Sequence, residues 1–329
     1  MTPAVTPAMT PRIILTCGEP AGIGPELAPA ALASGVDFAW MGDPRHLPAG
    51  TVFTEIARPG DPVPAGRLPV LRHDFAAPAR PGRPDPANAA GVIAVIARAV
   101  DLVMQGQAAG LCTLPISKQA LKDGAGFAFP GHTEYLAHLA GGVPVAMMLA
   151  STTVDPPCRV VPATIHIPLQ DVPDALSDAV LEQAIRITHA ALIRDFGLSA
   201  PRIAVAGLNP HAGEGGAMGR QETDRIKPLL KRLRAEGMDL RGPLPADTMF
   251  HAPARARYDA AVCAYHDQAL IPVKTLDFDG GVNVTLGLPF VRTSPDHGTA
   301  FDIAGRGIAS PASTMAALRM ARAMAAARG

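Results

Sequence analysis

Residues 12–28 read RIILTCGEPAGIGPELA, and this stretch contains the structural unit that recurs along the chain. A short run rich in β-branched residues, 13–17, is followed by a loop of Gly and Pro and by a helix predicted from about Pro25. An apolar run without polar alternation predicts a strand that is buried on both faces. A strand, a glycine loop and a helix in this order are typical of the first unit of an α/β fold.

Similar apolar runs and amphipathic stretches continue along the chain. Further strands are predicted at residues 37–41, 109–114, 145–150, 159–165, 203–208 and 260–265, and helices at residues 87–107, 174–196, 221–236 and 311–327. Their alternation predicts a largely parallel sheet that is covered by helices on both faces. Because ligands bind outside the carboxyl ends of the strands in such sheets, we expect the chemistry just after these apolar runs.

The composition is that of a globular protein without a strongly charged partner. Of the 329 residues, 48% are hydrophobic and 18% charged, and 29 cationic side chains balance 29 anionic ones. A net charge of zero excludes a generally basic nucleic-acid-binding protein. The chain shows neither a signal-peptide pattern nor the uninterrupted apolar stretch of about 18 residues that a membrane span needs. We therefore expect a soluble, cytoplasmic protein with no nucleic acid and no membrane as partner, and four buried, reduced cysteines.

Three histidines follow predicted strands, namely His166, His211 and His266. Parallel strands would bring these positions to one edge of the sheet, where three neutral imidazoles with open positions would form a catalytic site for a divalent metal. Asp247 and Asp267 are candidates for holding such a site in place or for transferring a proton. The alternative is that strand-end histidines only cap helices or fill polar corners.

Several segments could bind an anion. The glycine loop at residues 18–26 could present backbone N–H groups to an anion or form a tight turn. The chain has only five lysines among its 29 Lys and Arg residues, and Lys118 and Lys274 each follow an apolar segment. A lysine there suits phosphate binding or proton transfer, although a surface role is equally open. Thr133 could cap a helix or hold a phosphate or carboxylate. The block at residues 280–305 is predicted as a polar loop that lines a site.

Two segments resemble the isocitrate/isopropylmalate dehydrogenase superfamily: GIGPE at residues 22–26 and HGTAFDIAGRGIASP at residues 297–311. Further motifs are TLPISK (113–118), FPGHTEYLA (129–137), GLNPHAGEGG (207–216), GPLPADTMF (242–250), YHDQALIPVK (265–274) and GVNVTLGLPFVRTSPDHGTAFDIAG (281–305). Together they resemble the PdxA family, the 4-hydroxythreonine-4-phosphate dehydrogenases of vitamin B6 biosynthesis, over about residues 12–328.

The resemblance implies a homodimer of chains with two α/β domains, mostly parallel sheets and the active site in the interdomain cleft. The first domain would comprise residues 1–128 and 282–329, on the cofactor side. The second, residues 129–281, would carry the metal ligands and the dimer interface. The resemblance also implies a divalent metal held by His166, His211 and His266, with His266 donated by the partner subunit. The metal could be Zn, Mg, Mn or Co.

The resemblance further implies the binding residues. Those for the small phosphorylated substrate would be His132, Thr133, Lys274, Asn283 and Arg292, with Asp247 close to them. The cofactor loop would contribute Gly298, Asp302 and Gly305. Asp302 matches the superfamily position where a carboxylate binds the ribose 2′-hydroxyl, so NAD is expected over NADP, which stays possible.

The implied reaction is NAD(P)-dependent oxidation of 4-phosphohydroxy-L-threonine at C3, followed by decarboxylation to 3-amino-2-oxopropyl phosphate, in pyridoxal 5′-phosphate biosynthesis. The general base could be Lys274, Asp267 or Asp247. The alternatives are a dehydrogenase of the same fold that acts on 4-phosphoerythronate, 4-phosphothreonate or a cis-dihydrodiol, a metal-dependent phosphate-ester hydrolase, and a non-catalytic sensor of a phosphorylated ligand.

Overall fold

The computed structural model describes residues 11–329. These divide into two compact units, the first running to Leu139 and including Pro289–Ala325, and the second comprising Ala140–Leu288 and Ala326–Gly329. Residues 1–10, which the sequence assigns to the first domain, lie outside the described residues. The domain boundaries expected at residues 128 and 282 stay a prediction.

The elements alternate along the chain. The first unit begins with β1 (Ile13–Thr16), α1 (Gly24–Ala30), β2 (Phe38–Gly42), β3 (Phe53–Ile56), β4 (Leu68–Arg72), α2 (Ala89–Met104), β5 (Gly110–Thr113), α3 (Lys118–Ala125) and α4 (His132–Leu139). The second unit contains β6 (Ala146–Ser151), β7 (Cys158–Pro162), α5 (Val172–Ala175), α6 (Asp178–Arg194), β8 (Arg202–Ala206), α7 (Lys227–Ala235), β9 (Asp239–Leu244), α8 (Ala252–Arg255), β10 (Ala260–Cys263), α9 (His266–Leu276) and β11 (Val282–Leu286). The chain closes with β12 (Arg292–Pro295) and α10 (Ala312–Arg328).

The strands of the first unit lie in the order β3-β4-β2-β1-β5-β12 and pair in parallel throughout. The central strand is β1, in which Ile13 pairs with Phe38 on one side and with Gly110 on the other. All four residues of β1 are buried, as expected for a continuous apolar strand between two neighbours. The unit therefore has the parallel sheet that the opening segment predicts.

The strands of the second unit lie in the order β11-β6-β7-β10-β8-β9. Strand β6 is antiparallel to both β7 and β11, whereas the other pairs are parallel. The reversal between β6 and β7 fits their short connection, residues 152–157, because only antiparallel neighbours can be joined without a crossover. The predicted α/β class with mostly parallel strands is confirmed.

The block at residues 280–305 was expected to be a polar loop, and this expectation is wrong for the two segments that form strands. Strands β11 and β12 lie within it. Val282, Val284 and Leu286 are buried in β11, while Thr293 of β12 is buried and donates a hydrogen bond from its hydroxyl to the Ala317 carbonyl at 2.9 Å. Polar residues can lie in a core when their hydrogen bonds are satisfied there, which composition alone does not reveal.

One helical stretch, Pro86–Met104, has the length and composition of a membrane span, with a mean hydropathy of 1.7. It contains α2, whose Val92, Ile96 and Val100 are buried. Helix α2 packs against β1, β2 and β5 of its own unit, and a helix in the core of a protein can have the same length and composition as a membrane span.

The four cysteines are buried and free, as expected, and burial raises the pKa of the Cys112 thiol to about 12.

Candidate active site

The three histidines of the predicted metal site follow three strands of the second unit. His166 follows β7, His211 follows β8, and His266 is the first residue of α9 after β10. These strands are adjacent in the order β7-β10-β8, and both pairs are parallel. The histidine-bearing segments consequently leave the same edge of the sheet, where ligands of α/β proteins bind.

His166 and His266 face a common cavity. Their ring centroids are 5.8 Å apart, and both residues line a cavity of about 260 Å³ together with Tyr265 and Asp267. The Nδ1 atom of His266 lies 2.6 Å from Oδ1 of Asp267. A carboxylate on Nδ1 orients an imidazole and leaves Nε2 available for a ligand.

His211 lies on a loop with an unusual backbone. The φ angles of His211, Ala212 and Glu214 are 53°, 51° and 42°, and the glycines between and after them are also left-handed. The left-handed conformation costs a residue with a Cβ atom roughly 1–2 kcal/mol, and such residues cluster at functional sites. His166 has a φ angle of 54°, so two of the three histidines share this rare conformation.

A buried carboxylate holds the His211 loop. Glu222 is fully buried, and its Oε1 and Oε2 atoms accept hydrogen bonds from the backbone N–H and the side-chain amide of Asn209 at 2.7 and 2.9 Å. A Cβ atom on Gly213 would lie 2.6 Å from Oε2, so the loop closes tightly around this group. Glu222 begins a short π-helical turn, Glu222–Ile226. The role of Glu222 was not predicted from the sequence, because nothing in an amphipathic stretch indicates that one of its glutamates is buried.

The carboxyl ends of the three strands are also tied to one another. The side-chain amide of Gln268 donates to the Gly207 carbonyl at 2.8 Å and accepts from the Ala264 N–H at 2.7 Å. The Thr164 hydroxyl donates to the Ala264 carbonyl at 2.8 Å. Thr164 and Gln268 therefore fix the backbone next to all three histidines. Neither was predicted, although Gln268 lies within the YHDQ motif.

The predicted metal site combines ligands from two subunits, and one chain shows the positions of its own three histidines. Within residues 11–329, no three His, Cys, Asp or Glu side chains form a group that could hold a metal ion. His166 and His266 of the same chain lie together, whereas the resemblance combines His166 and His211 of one subunit with the partner's His266. Two imidazoles on one cavity fit a divalent metal by their chemistry, and the set of three ligands with its shared origin stays a prediction.

The remaining predicted residues of the second unit lie around a neighbouring cavity or beyond it. Asp247 and Asp267 both line a cavity of about 460 Å³, and Asp267 lines the histidine cavity as well. Lys274 lies on α9, with its Nζ atom 5.7 Å from the centroid of the Phe278 ring. Asn283 lies on β11, paired with Leu149 of β6. The structure thus brings Asp247, Asp267, His166 and His266 around two adjoining cavities.

In the first unit, Arg292 is a buried cation at the start of β12. It is 3% exposed, and its Nε and Nη2 atoms donate to the Thr113 hydroxyl at 3.2 and 2.7 Å. Burial lowers the pKa of Arg292 to about 10, which still leaves the guanidinium charged at neutral pH. A buried guanidinium held in a fixed orientation favours an anionic ligand.

His132 opens α4 beside this cation. Burial, followed by the charges of Arg292 and Lys118, holds the pKa of His132 well below its usual range. Its Nε2 atom is buried and has no hydrogen-bond partner within residues 11–329. A neutral imidazole with an unsatisfied buried nitrogen can hydrogen-bond a ligand, and Thr133 follows in the first turn of the same helix.

The two superfamily motifs lie side by side in the first unit. The Oε2 atom of Glu26 accepts hydrogen bonds from the backbone N–H groups of Gly305 and Gly307 at 3.0 and 3.3 Å. Gly305 and Glu26 also line a cavity of about 510 Å³ with Arg45 and Arg306. The GIGPE motif therefore holds the predicted cofactor loop in place. Two other predicted residues of that loop, Gly298 and Asp302, are exposed and do not line this cavity.

We expect Glu26→Ala to raise about tenfold the KM for the nicotinamide cofactor that the resemblance implies, because two hydrogen bonds to a carboxylate that order the loop are lost. The KM for the other substrate should not change, since the two hydrogen bonds that are lost hold the cofactor loop. Steady-state kinetics with each substrate varied in turn would measure both constants. Glu55→Ala, which removes another glutamate of the first unit, serves as the control. A matching rise in both KM values for Glu26→Ala would contradict the assignment.

Comparison with known proteins gives one consistent result. The family described as "Pyridoxal phosphate biosynthetic protein PdxA" matches residues 41–321. A relative from Paracoccus denitrificans (strain Pd 1222), named 4-hydroxythreonine-4-phosphate dehydrogenase, is 75% identical over 316 residues, which cover 96% of this chain and 98% of the relative.

Two solved structures show the fold. That of 4-hydroxythreonine-4-phosphate dehydrogenase from Klebsiella pneumoniae has a TM-score of 0.87 and 36% identity and covers 96% of this chain and 100% of that one. The structure of a terephthalate 1,2-cis-dihydrodiol dehydrogenase from Burkholderia xenovorans LB400 has a TM-score of 0.68 and 28% identity. It covers 95% of this chain and 97% of that one. With the family match and the identity over nearly the whole chain, the resemblance in the motifs is confirmed, and the chain belongs to the PdxA family of pyridoxal phosphate biosynthetic proteins.

Proposed function

We propose that this protein is a 4-hydroxythreonine-4-phosphate dehydrogenase of pyridoxal 5′-phosphate biosynthesis. It oxidises 4-phosphohydroxy-L-threonine at C3 with a nicotinamide cofactor, and the resulting β-keto acid loses CO2 to give 3-amino-2-oxopropyl phosphate. The observation that carries the proposal is the 75% identity over 316 residues to a relative of that name. The cationic and metal-binding chemistry of the site residues agrees with it.

The substrate-binding residues divide by chemistry. Arg292 supplies a buried positive charge, and His132 a neutral imidazole with a free buried nitrogen. Thr133 adds a hydroxyl at the first turn of α4. We assign these three side chains, with Lys274 and Asn283, to the phosphorylated substrate.

A base must take the C3 hydroxyl proton as the hydride leaves. Asp267, Asp247 and Lys274 are the candidates. The Asp267 carboxylate lies 2.6 Å from Nδ1 of His266, which favours a role in orienting that imidazole over proton abstraction. Asp247 and Lys274 are therefore the stronger candidates for the base.

His166, His211 and His266 would hold the divalent metal, with the site shared between the subunits of a homodimer. A metal bound there would stabilise negative charge on the C3 oxygen, and the nicotinamide would accept the hydride. Their neutral imidazoles suit Zn, Mg, Mn or Co when substrate oxygens complete the ligand set. NAD is favoured over NADP because the Asp302 carboxylate would repel a 2′-phosphate, although Arg45 and Arg306 on the adjacent cavity leave NADP possible.

An exposed apolar surface supports the homodimer. Ile271 and Leu276 of α9 are 60% and 40% exposed, and Phe278 just beyond the helix is 73% exposed. Large apolar side chains that cluster on a surface mark an interaction site. We assign this surface to the second copy of the chain in a soluble, cytoplasmic enzyme.

A spectrophotometric assay tests the proposed function. The protein with 4-phosphohydroxy-L-threonine and NAD should produce NADH, more slowly with NADP at the same concentration, and not after removal of the metal with a chelator. Activity should return when a divalent metal is added back. 4-Phosphoerythronate, 4-phosphothreonate and a terephthalate cis-dihydrodiol serve as competing substrates. Faster turnover of any of these would replace the proposed substrate, and phosphate release without nicotinamide would indicate a hydrolase.

A further inference from the structure

Two helices of the first unit begin close together, with a lysine between them. Lys118 is the first residue of α3, and His132 is the first residue of α4. A Cβ atom built on Gly131, just before α4, would lie 3.5 Å from Cε and 3.7 Å from Nζ of Lys118. The ammonium group of Lys118 therefore lies over the N-terminus of α4.

This arrangement is electrostatically unfavourable without a ligand. The N-terminus of a helix carries a partial positive charge, so a cation there is repelled and an anion is attracted. Lys118 is also in the first turn of its own helix, which has no acidic residue in that turn. Within residues 11–329, Lys118 forms no ion pair that would neutralise its charge.

A second cation and an unsatisfied nitrogen lie beside Lys118. Burial lowers the pKa of His132 most, and the charges of the buried Arg292 guanidinium and the Lys118 ammonium lower it further. The buried Nε2 atom of His132 has no hydrogen-bond partner within the described part of the chain. Glu134 offsets part of the charge, since its Oε2 atom would lie 3.4 Å from the same Gly131 Cβ position. The positive charge of two cations and two helix N-termini still exceeds the negative charge of one carboxylate.

We propose that Lys118 binds the phosphate group of the substrate, together with Arg292, His132 and the N-terminus of α4. This assignment rests on the proposed function and adds a residue to it. A phosphate monoester carries a charge of about −1.5 to −2 at pH 7 and three acceptor oxygens. The two cations match that charge, and the His132 imidazole and the N–H groups in the first turn of α4 match the acceptors. The Lys118 ammonium is a point charge on a flexible side chain and suits a single contact with phosphate, whereas the Arg292 guanidinium offers donors in a fixed orientation.

The test compares two substrates that differ only in the phosphate. For Lys118→Ala, kcat/KM with 4-phosphohydroxy-L-threonine should fall about 10- to 100-fold, as for a lost charge-assisted hydrogen bond. With 4-hydroxy-L-threonine, which lacks the phosphate, it should change less than about twofold, because no contact is lost. Lys118→Arg, which restores a cation, should recover part of the difference. Lys122→Ala, one turn further along the same helix, is the matched control and should resemble the wild type with both substrates.

A binding measurement separates this proposal from the proposed function. Inorganic phosphate should bind the wild-type dimer in isothermal titration calorimetry, and Lys118→Ala should weaken that binding, whether or not the protein turns over 4-phosphohydroxy-L-threonine. An equal loss with both substrates, or unchanged phosphate binding in a variant with wild-type thermal stability, would overturn the role of Lys118. Lack of turnover by the wild type would instead refute the proposed function, and the phosphate titration alone would then decide the role of Lys118.

Discussion

His166→Asn is expected to lower kcat/KM at least about a thousandfold, because a metal at the proposed site would stabilise charge on the C3 oxygen, an effect that contributes several kcal/mol. Asparagine is the appropriate replacement, since His166 has a φ angle of 54° and Asn tolerates this conformation better than Ala. The backbone should therefore keep its course while the imidazole is lost. Metal content per subunit should fall in parallel, and elemental analysis of the purified variant measures it independently of activity.

His251→Asn is the matched control for this prediction. His251 is an exposed histidine of the same unit that precedes α8, and asparagine at that position should keep both metal content and activity. The thermal unfolding midpoint of each variant should stay close to that of the wild type. A His166→Asn protein that retains a full complement of metal would remove His166 from the ligand set, whatever its activity.

The strands that carry the three histidines could be predicted because each is a continuous apolar run. Such runs form the centre of a parallel sheet, and topology alone then brings their ends together. The groups that fix those ends could not be predicted in the same way. Glu222, Gln268 and Thr164 are polar residues whose partners lie elsewhere in the chain, and they become apparent only when strand ends are adjacent in space.

The same reasoning explains the error over residues 280–305. Apolar residues in β11 alternate with polar ones, and β12 carries Arg292 and Thr293, so a reading by polarity assigns both strands to a loop. In β12, Arg292 and Thr293 have partners far away in sequence, which are Thr113 and Ala317. Composition and the family resemblance both assign this block to the site, which stays a prediction, and neither gives its structure.

Arg292→Met is expected to lower kcat/KM for 4-phosphohydroxy-L-threonine about a hundredfold to a thousandfold, chiefly through KM. Arg292 is 3% exposed and donates twice to the Thr113 hydroxyl, so its guanidinium is oriented before substrate arrives. Loss of one partner from a buried charge pair costs roughly 2–5 kcal/mol. Arg292→Lys should recover only part of the loss, since an ammonium cannot reproduce two donors in a fixed plane. Initial rates over a range of substrate concentrations measure both constants.

Arg255→Lys distinguishes this effect from general damage to the core. Arg255 is also 3% exposed, but its guanidinium donates to the backbone carbonyls of Pro156 and Phe250 and serves the fold of the second unit. We expect this control to lower the thermal unfolding midpoint without changing the KM for substrate. The Thr113→Val variant should show a moderate rise in KM, between those of Arg255→Lys and Arg292→Met, because Arg292 would keep its charge but lose two of the hydrogen bonds that orient it. An unchanged KM in Arg292→Met would mean that its buried charge serves folding, and that the phosphate is bound elsewhere.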